Sequence, residues 1–151
     1  MHLKKLTIVH VICPLMLGGF IYIAFRSLSL RLFSWFETAG LNTITSFIRH
    51  IAFPLKSHLP QWVYYSLPDG LWVYSFSSAL LILWKGQYEK AKIWLFIPLF
   101  SGSMIEIAQG LRIFPGTFDF LDLTFTTISL LLSIIIINDK FKTNDKQKQV
   151  F

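Results

Sequence analysis

Long apolar runs separated by short polar clusters set the pattern of this chain. Four of them reach the length needed to cross an apolar layer about 30 Å thick. They lie at 6–25, 67–84, 93–111 and 118–137. The first is interrupted only by His10 and the thiol of Cys13, and Pro14 is expected to bend it. Lys4-Lys5 ahead of this run resembles the start of a signal peptide, but no small-x-small cleavage pattern follows, so the segment is expected to persist as a helix. The second run includes Ser75, Ser77 and Ser78, which read as interhelical contacts. The fourth closes on Leu130-Leu-Leu-Ser-Ile-Ile-Ile-Ile137. Its isoleucines alone would suit a strand, whereas its length and hydropathy favour a spanning helix.

Residues 26–66 are too many for a simple turn. Leu28 to Phe36 alternates somewhat like a strand, and Leu41, Ile44, Ile48, Ile51 and Ala52 recur at helical spacing beside Arg49 and His50. Both segments are read as interfacial or partly re-entrant helices. Pro54, Pro60 and Pro68 forbid one continuous helix through the remainder. After Asn138 the chain turns polar, and 139–151 is expected to be a disordered tail. The fold expected is therefore an all-α integral membrane protein. It has one domain over 1–138, about four transmembrane helices, and interfacial helices in a long first outer loop.

Composition agrees with that pattern. Of the 151 residues, 54% are hydrophobic and 15% charged, against about 45–50% and about 25% in soluble domains. A single cysteine excludes a disulfide framework and a cysteine-based zinc site. The net charge of +6 could suggest nucleic acid, but the placement of the charges argues otherwise. Lys4, Lys5, Lys85, Lys90, Lys92, Lys140, Lys142, Lys146 and Lys148 fall on one side of a four-span arrangement. Arg26, Arg31, Arg49, Lys56 and Arg112 fall on the other, together with five of the eight acids. The whole basic excess is then on the lysine-rich side, which the positive-inside rule makes cytoplasmic, with both termini there. Trp62, Tyr64, Tyr65, Trp72 and Tyr74 at the outer end, and Trp84, Tyr88 and Trp94 at the inner, suit interfacial belts. The expected location is the cytoplasmic (plasma) membrane. Membrane lipid is the expected partner, and nucleic acid is not.

The candidate chemistry lies between Met104 and Asp122. Glu106 and Gln109 are three apart and share a helix face. Glu106 is roughly 21 Å of helix beyond Lys92, in the outer leaflet. A carboxylate at the centre of a spanning helix costs about 2.5–3.5 kcal/mol, so Glu106 calls for a partner or a wet pocket. Pro115-Gly116 turns the chain, and Asp119 and Asp122, again three apart, open the last helix. Both aspartates can cap that helix, and both can join Glu106 in a pocket. Asp69 opens the second run after Pro68, where capping is the simpler role. Arg112 can snorkel from a helix end or pair with Asp119 or Asp122. Such carboxylates permit acid–base chemistry, hard-cation binding, or binding of a cationic or hydroxyl-rich group. His2, His10, His50 and His58 are scattered without a metal-ligand spacing, and no cofactor motif occurs. His10 reads as a packing or interfacial residue, and Cys13 as an inert, buried thiol.

Glu106-x-x-Gln109, a short turn, then Asp119-x-x-Asp122 opening the last helix resembles the VanZ-like family of small integral membrane proteins. Asp69 in Pro-Asp-Gly-Leu-Trp can stand for that family's upstream Asp. The chain departs from the pattern where Gly70, Trp72, Thr117, Thr126 and Ser129 stand for the family's Lys, His, Arg, Asn and Gly. The resemblance covers 67–137 and implies a cell-envelope protein, with a role in glycopeptide-antibiotic resistance or in handling surface polymers or lipids. Its site would be an outward-facing acidic pocket of Glu106, Gln109, Asp119 and Asp122, with Asp69 and Arg112 at the rim. Two other readings stay open. One is a small membrane enzyme acting on a lipid headgroup or lipid-linked substrate, with Glu106 as its acid–base residue. The other is an accessory subunit of a membrane complex.

Overall fold

The structure is a computed structural model that describes residues 2–113 and 118–149. The described chain is helical, and no strand occurs among its described residues. In order the elements are α1 (His2–Thr7), a π-helical turn (Ile8–Ile12), α2 (Cys13–Phe25), α3 (Arg31–Thr38), α4 (Asn42–Lys56) and α5 (Gln61–Tyr65). There follow α6 (Leu67–Leu83), α7 (Tyr88–Ala91), α8 (Phe96–Gly110) and α9 (Phe120–Gln149). The expected turn at Pro115-Gly116 and the position of Thr117 lie outside the described residues.

The expected bend near Pro14 takes the form of the π turn. Proline has no N–H to offer the preceding turn, and the helix widens just before it, with the Cys13 N–H bonding five residues back to the Ile8 carbonyl. The Val11 carbonyl in this turn accepts a 2.8 Å hydrogen bond from Ser75 Oγ on α6. His10 Nδ1 and the Tyr74 hydroxyl, also on α6, lie 2.7 Å apart. His10 is thus a contact between helices, in keeping with its packing reading. Cys13 is exposed, not buried, because the opposite face of this segment is the one packed on α6.

Two helical stretches are long and apolar enough to cross a membrane, Leu3–Phe25 and Phe120–Thr143. Only 28% and 22% of their apolar windows is buried, so most of their side chains coat the outside of the molecule. The run expected as a helix over 67–84 is α6, one residue shorter. The run expected over 93–111 is helical only from Phe96 to Gly110, since Lys92 to Leu95 form turns. Its fifteen residues span about 22 Å. The fourth helix does not stop at Ile137. It continues to Gln149, which corrects the expectation of a disordered tail. No Gly or Pro occurs between Asn138 and Gln149, so nothing local ends the helix.

In the first loop, the weak alternation before Phe36 gives way to helix α3, and α4 runs through Pro54 to Lys56 although a break was expected there. Arg49 of α4 fixes this loop to the bundle. Its Nη1 donates to the Ile23 carbonyl at 2.9 Å and to the Arg26 carbonyl at 2.8 Å, at the end of α2 where backbone acceptors lack helical partners. Ile21, Ala24, Phe25, Ala52 and Tyr64 close a small core below it.

α6 is the hub: α1, the π turn, α2, α5, α7, α8 and α9 all pack on it. A second core of Val73, Leu81, Ala91, Leu95, Leu130 and Ile137 joins the C-terminal end of α6 to α7 and the middle of α9. Small residues permit the approach. A Cβ at Gly70 would stand 2.9 Å from Ser129 Oγ and 3.3 Å from the Phe125 carbonyl on α9, and one at Gly102 would meet Val73 and Thr126. Ser77, Ser78, Thr126 and Ser133 are fully buried in these contacts. Gly70→Ala is therefore expected to destabilise the protein by about 1–3 kcal/mol through overpacking. Gly19→Ala, which meets open space, should not. Thermal unfolding in detergent of both variants compares them, and equal midpoints would show that α6 and α9 are not so tightly apposed.

Candidate functional site

At the N-terminal end of α6, a cavity of about 760 Å³ opens between α2, α5, α6, α8 and the start of α9. Asp69, Glu106, Gln109, Asp119 and Asp122 all line it. Five of the six residues singled out in the sequence thus share one space. Tyr22, Arg26, Gln61, Tyr65, Trp72 and Phe76 supply much of the remaining wall.

Each acid reaches the cavity by a local route. Asp69 stands in the first turn of α6, behind Pro68. Its Oδ2 lies 3.6 Å from Arg26 Nη2, with the two side chains 28% and 23% exposed. That contact is longer than a tight charge-assisted hydrogen bond. Arg26 is delivered by the end of α2, where the backbone turns extended. Its guanidinium lies 5.3 Å from the ring centres of both Tyr22 and Tyr65, within cation–π range. Arg26 is the functional candidate that the sequence reading passed over as a loop cation. The signal was present, since Arg26 and Asp69 end neighbouring apolar runs on the same side with opposite charge.

The two acids of Asp119-x-x-Asp122 divide their work. Asp119 caps α9, its Oδ1 accepting the Leu121 N–H at 2.8 Å. In a capping box, the acid three residues on would bond back to the cap residue's own N–H. Here Glu106 of α8 takes that N–H instead, its Oε2 accepting from the Asp119 backbone at 2.9 Å. Asp122 is thereby released from capping. It is 9% exposed, and its Oδ1 has no hydrogen-bond partner among the described residues.

Arg112 stands apart. Among the described residues that line the cavity it does not occur. It ends α8 in a left-handed conformation, with φ of +58°. The Ile113 N–H reaches the Ala108 carbonyl at 2.8 Å and the Arg112 N–H reaches that of Gln109 at 2.9 Å, a Schellman ending. The expectation of Arg112 at the pocket rim, or paired with Asp119 or Asp122, is replaced by a role in terminating the helix. Its exposed side chain needs no partner there.

No family model, curated protein or solved structure matches the chain. Among the described residues, no three His, Cys, Asp or Glu side chains are grouped so as to hold a metal ion. The cavity instead presents clustered carboxylates, with Glu106 and Asp122 side by side, one guanidinium and aromatic walls, an arrangement suited to a polar organic molecule.

Two stability measurements test this assignment of roles. Arg112→Gly should raise stability by about 1 kcal/mol, because glycine adopts the left-handed conformation without strain. Arg26→Met should lower stability by leaving Asp69 without its counter-charge, and adding Asp69→Asn should recover part of the loss. The expected coupling is about 0.5–3 kcal/mol, and strictly additive losses would show that the pair does not interact.

Proposed function

We propose that the chain is a membrane-embedded protein of the cell envelope whose cavity binds a polar ligand on the outer side of the cytoplasmic membrane. The observation that carries this reading is the meeting of Arg26, Asp69, Glu106, Asp119 and Asp122 in one cavity, in a molecule whose longest helices expose apolar side chains over most of their surface. In water such surfaces would aggregate, whereas in lipid they are satisfied. Intramembrane ionisable groups are retained where they face a polar cavity.

The bundle ends differ in charge, which supports the orientation. A Cβ at Gly86, in the loop after α6, would collide with Phe141 of α9, so that loop and the late part of α9 share one end. That end carries Lys85, Lys90, Lys92, Lys140 and Lys142, and the N-terminal Lys4 and Lys5 precede the π turn packed on α6. The acidic cavity is at the other end of α6. In this arrangement α6 and α8 complete a four-helix membrane bundle and α3 and α4 lie along the outer interface. Trp35, Ile44, Phe47, Ile51, Phe53 and Leu55 are among their exposed apolar side chains. The resemblance to VanZ-like proteins adds the envelope role, and with it protection against a glycopeptide antibiotic.

Both parts are testable in intact bacteria expressing the chain. On a Cys13→Ser background, a membrane-impermeant maleimide should label a cysteine placed at Ser29 and spare one at Lys85, and the reverse pattern would invert the topology. Cells expressing the chain should tolerate more teicoplanin than cells expressing Asp122→Asn at equal protein level. Equal tolerance would remove the antibiotic role.

A further inference from the structure

The cavity carries more negative than positive charge. Arg26 Nη2 faces Asp69 between the two tyrosine rings while its buried Nε has no partner among the described residues, which leaves Glu106, Asp119 and Asp122 without a cation of their own there. The first two accept backbone N–H groups, whereas Asp122 Oδ1 is buried and unpartnered. A buried carboxylate oxygen without a donor is strongly unfavourable, and a cationic N–H donor is the group that best relieves it. A bare metal ion would need several oxygens converging at about 2.0–2.6 Å, and the described carboxylates do not form such a group. The pairing of Glu106 with Asp122 in a cavity of about 760 Å³, beside Trp72 and Phe76, fits a larger cation with an apolar body.

We propose that the cavity recognises an organic ammonium group, anchored by Asp122 with Glu106 as the second carboxylate. The proposal rests on the reading of the cavity as a ligand site and names the class of ligand. Arg26, beside the carboxylates, suits an anionic group on the same molecule, as in an aminoethyl phosphodiester. The ammonium can be carried by a lipid headgroup or by a free amine.

The test uses the full chain purified in a non-ionic detergent, with the thermal midpoint as the measure of binding. Phosphatidylethanolamine, its N-acetylated form and spermidine are the probes. Phosphatidylethanolamine or spermidine, or both, should raise the midpoint while the acetylated lipid does not. A response to the lipid alone identifies a headgroup, and a response to spermidine alone identifies a free amine. Asp122→Asn should weaken the active probe about tenfold, or about 1.4 kcal/mol, and Arg112→Gly should not. Glu106→Gln, which keeps an acceptor for the Asp119 N–H, gives a second measure should Asp122→Asn fail to fold. Equal binding of the acetylated lipid, or full affinity with neutralised carboxylates, overturns the ammonium assignment. If Ser101→Trp, placed in the cavity wall, abolishes that residual binding, the cavity remains a ligand site. If no probe binds, the ammonium proposal falls, and a shift with an envelope lipid that has no amine, such as phosphatidylglycerol, keeps the cavity reading alive.

Discussion

Backbone approach between α6 and α9 governs the rest of this molecule. Where Gly70 faces Phe125 and Ser129, there is no room for a methyl group, and Ser77, Ser78 and Thr126 extend the small-residue surface inward. In the proposed lipid setting, helices would gain little from burying one another's hydrocarbon, and close van der Waals contact would hold them together. Larger residues on α6 would separate the helices, and the acids at their N-terminal ends would then part. Asp69 and Asp122 line one cavity because their helices touch a few residues further along. The charged site is in this sense a product of uncharged packing.

The same logic explains the asymmetry of the site. Around α6 the bundle is tightly filled on its lysine-rich side, where Leu81 and Ile137 are fully buried. At the acidic end the wall is built from long side chains, Arg26, Tyr65 and Glu106 among them, which leave a void between them. Hydrogen bonding is economical there. Glu106 serves the start of α9 from a neighbouring helix, and this single substitution of partners separates a structural aspartate from an unsatisfied one.

Much of this was legible in the chain's pattern. Periodicity and length identified the apolar runs, and α6 emerged within a residue of its expected bounds. Counting along helices places Asp69, Glu106, Gln109, Asp119 and Asp122 at one end, where they line the cavity. What escaped was whatever depends on the neighbour and not on the chain itself. Arg26 looked like a loop residue because the tyrosines that flank its guanidinium come from α2 and α5. Arg112 invited an ion pair, since nothing in its side chain betrays a left-handed backbone. Cys13 was expected inside because its neighbours are apolar, but in an apolar-coated molecule hydropathy no longer distinguishes interior from exterior. The helical tail was missed because polar composition was taken for disorder, although it contains no residue that breaks a helix.

If the proposed arrangement sets α8 in a bilayer, its brevity has a consequence for the surrounding lipid. At about 22 Å it falls several ångström short of a hydrocarbon layer about 30 Å thick. Bilayers answer such mismatch by thinning or by drawing headgroups inward, at fractions of a kcal/mol per ångström. In the proposed membrane arrangement, the bilayer around α8 would dip toward Glu106. A polar group that belongs at the surface would then be carried down to the cavity by the local shape of the bilayer, with no moving part in the protein required.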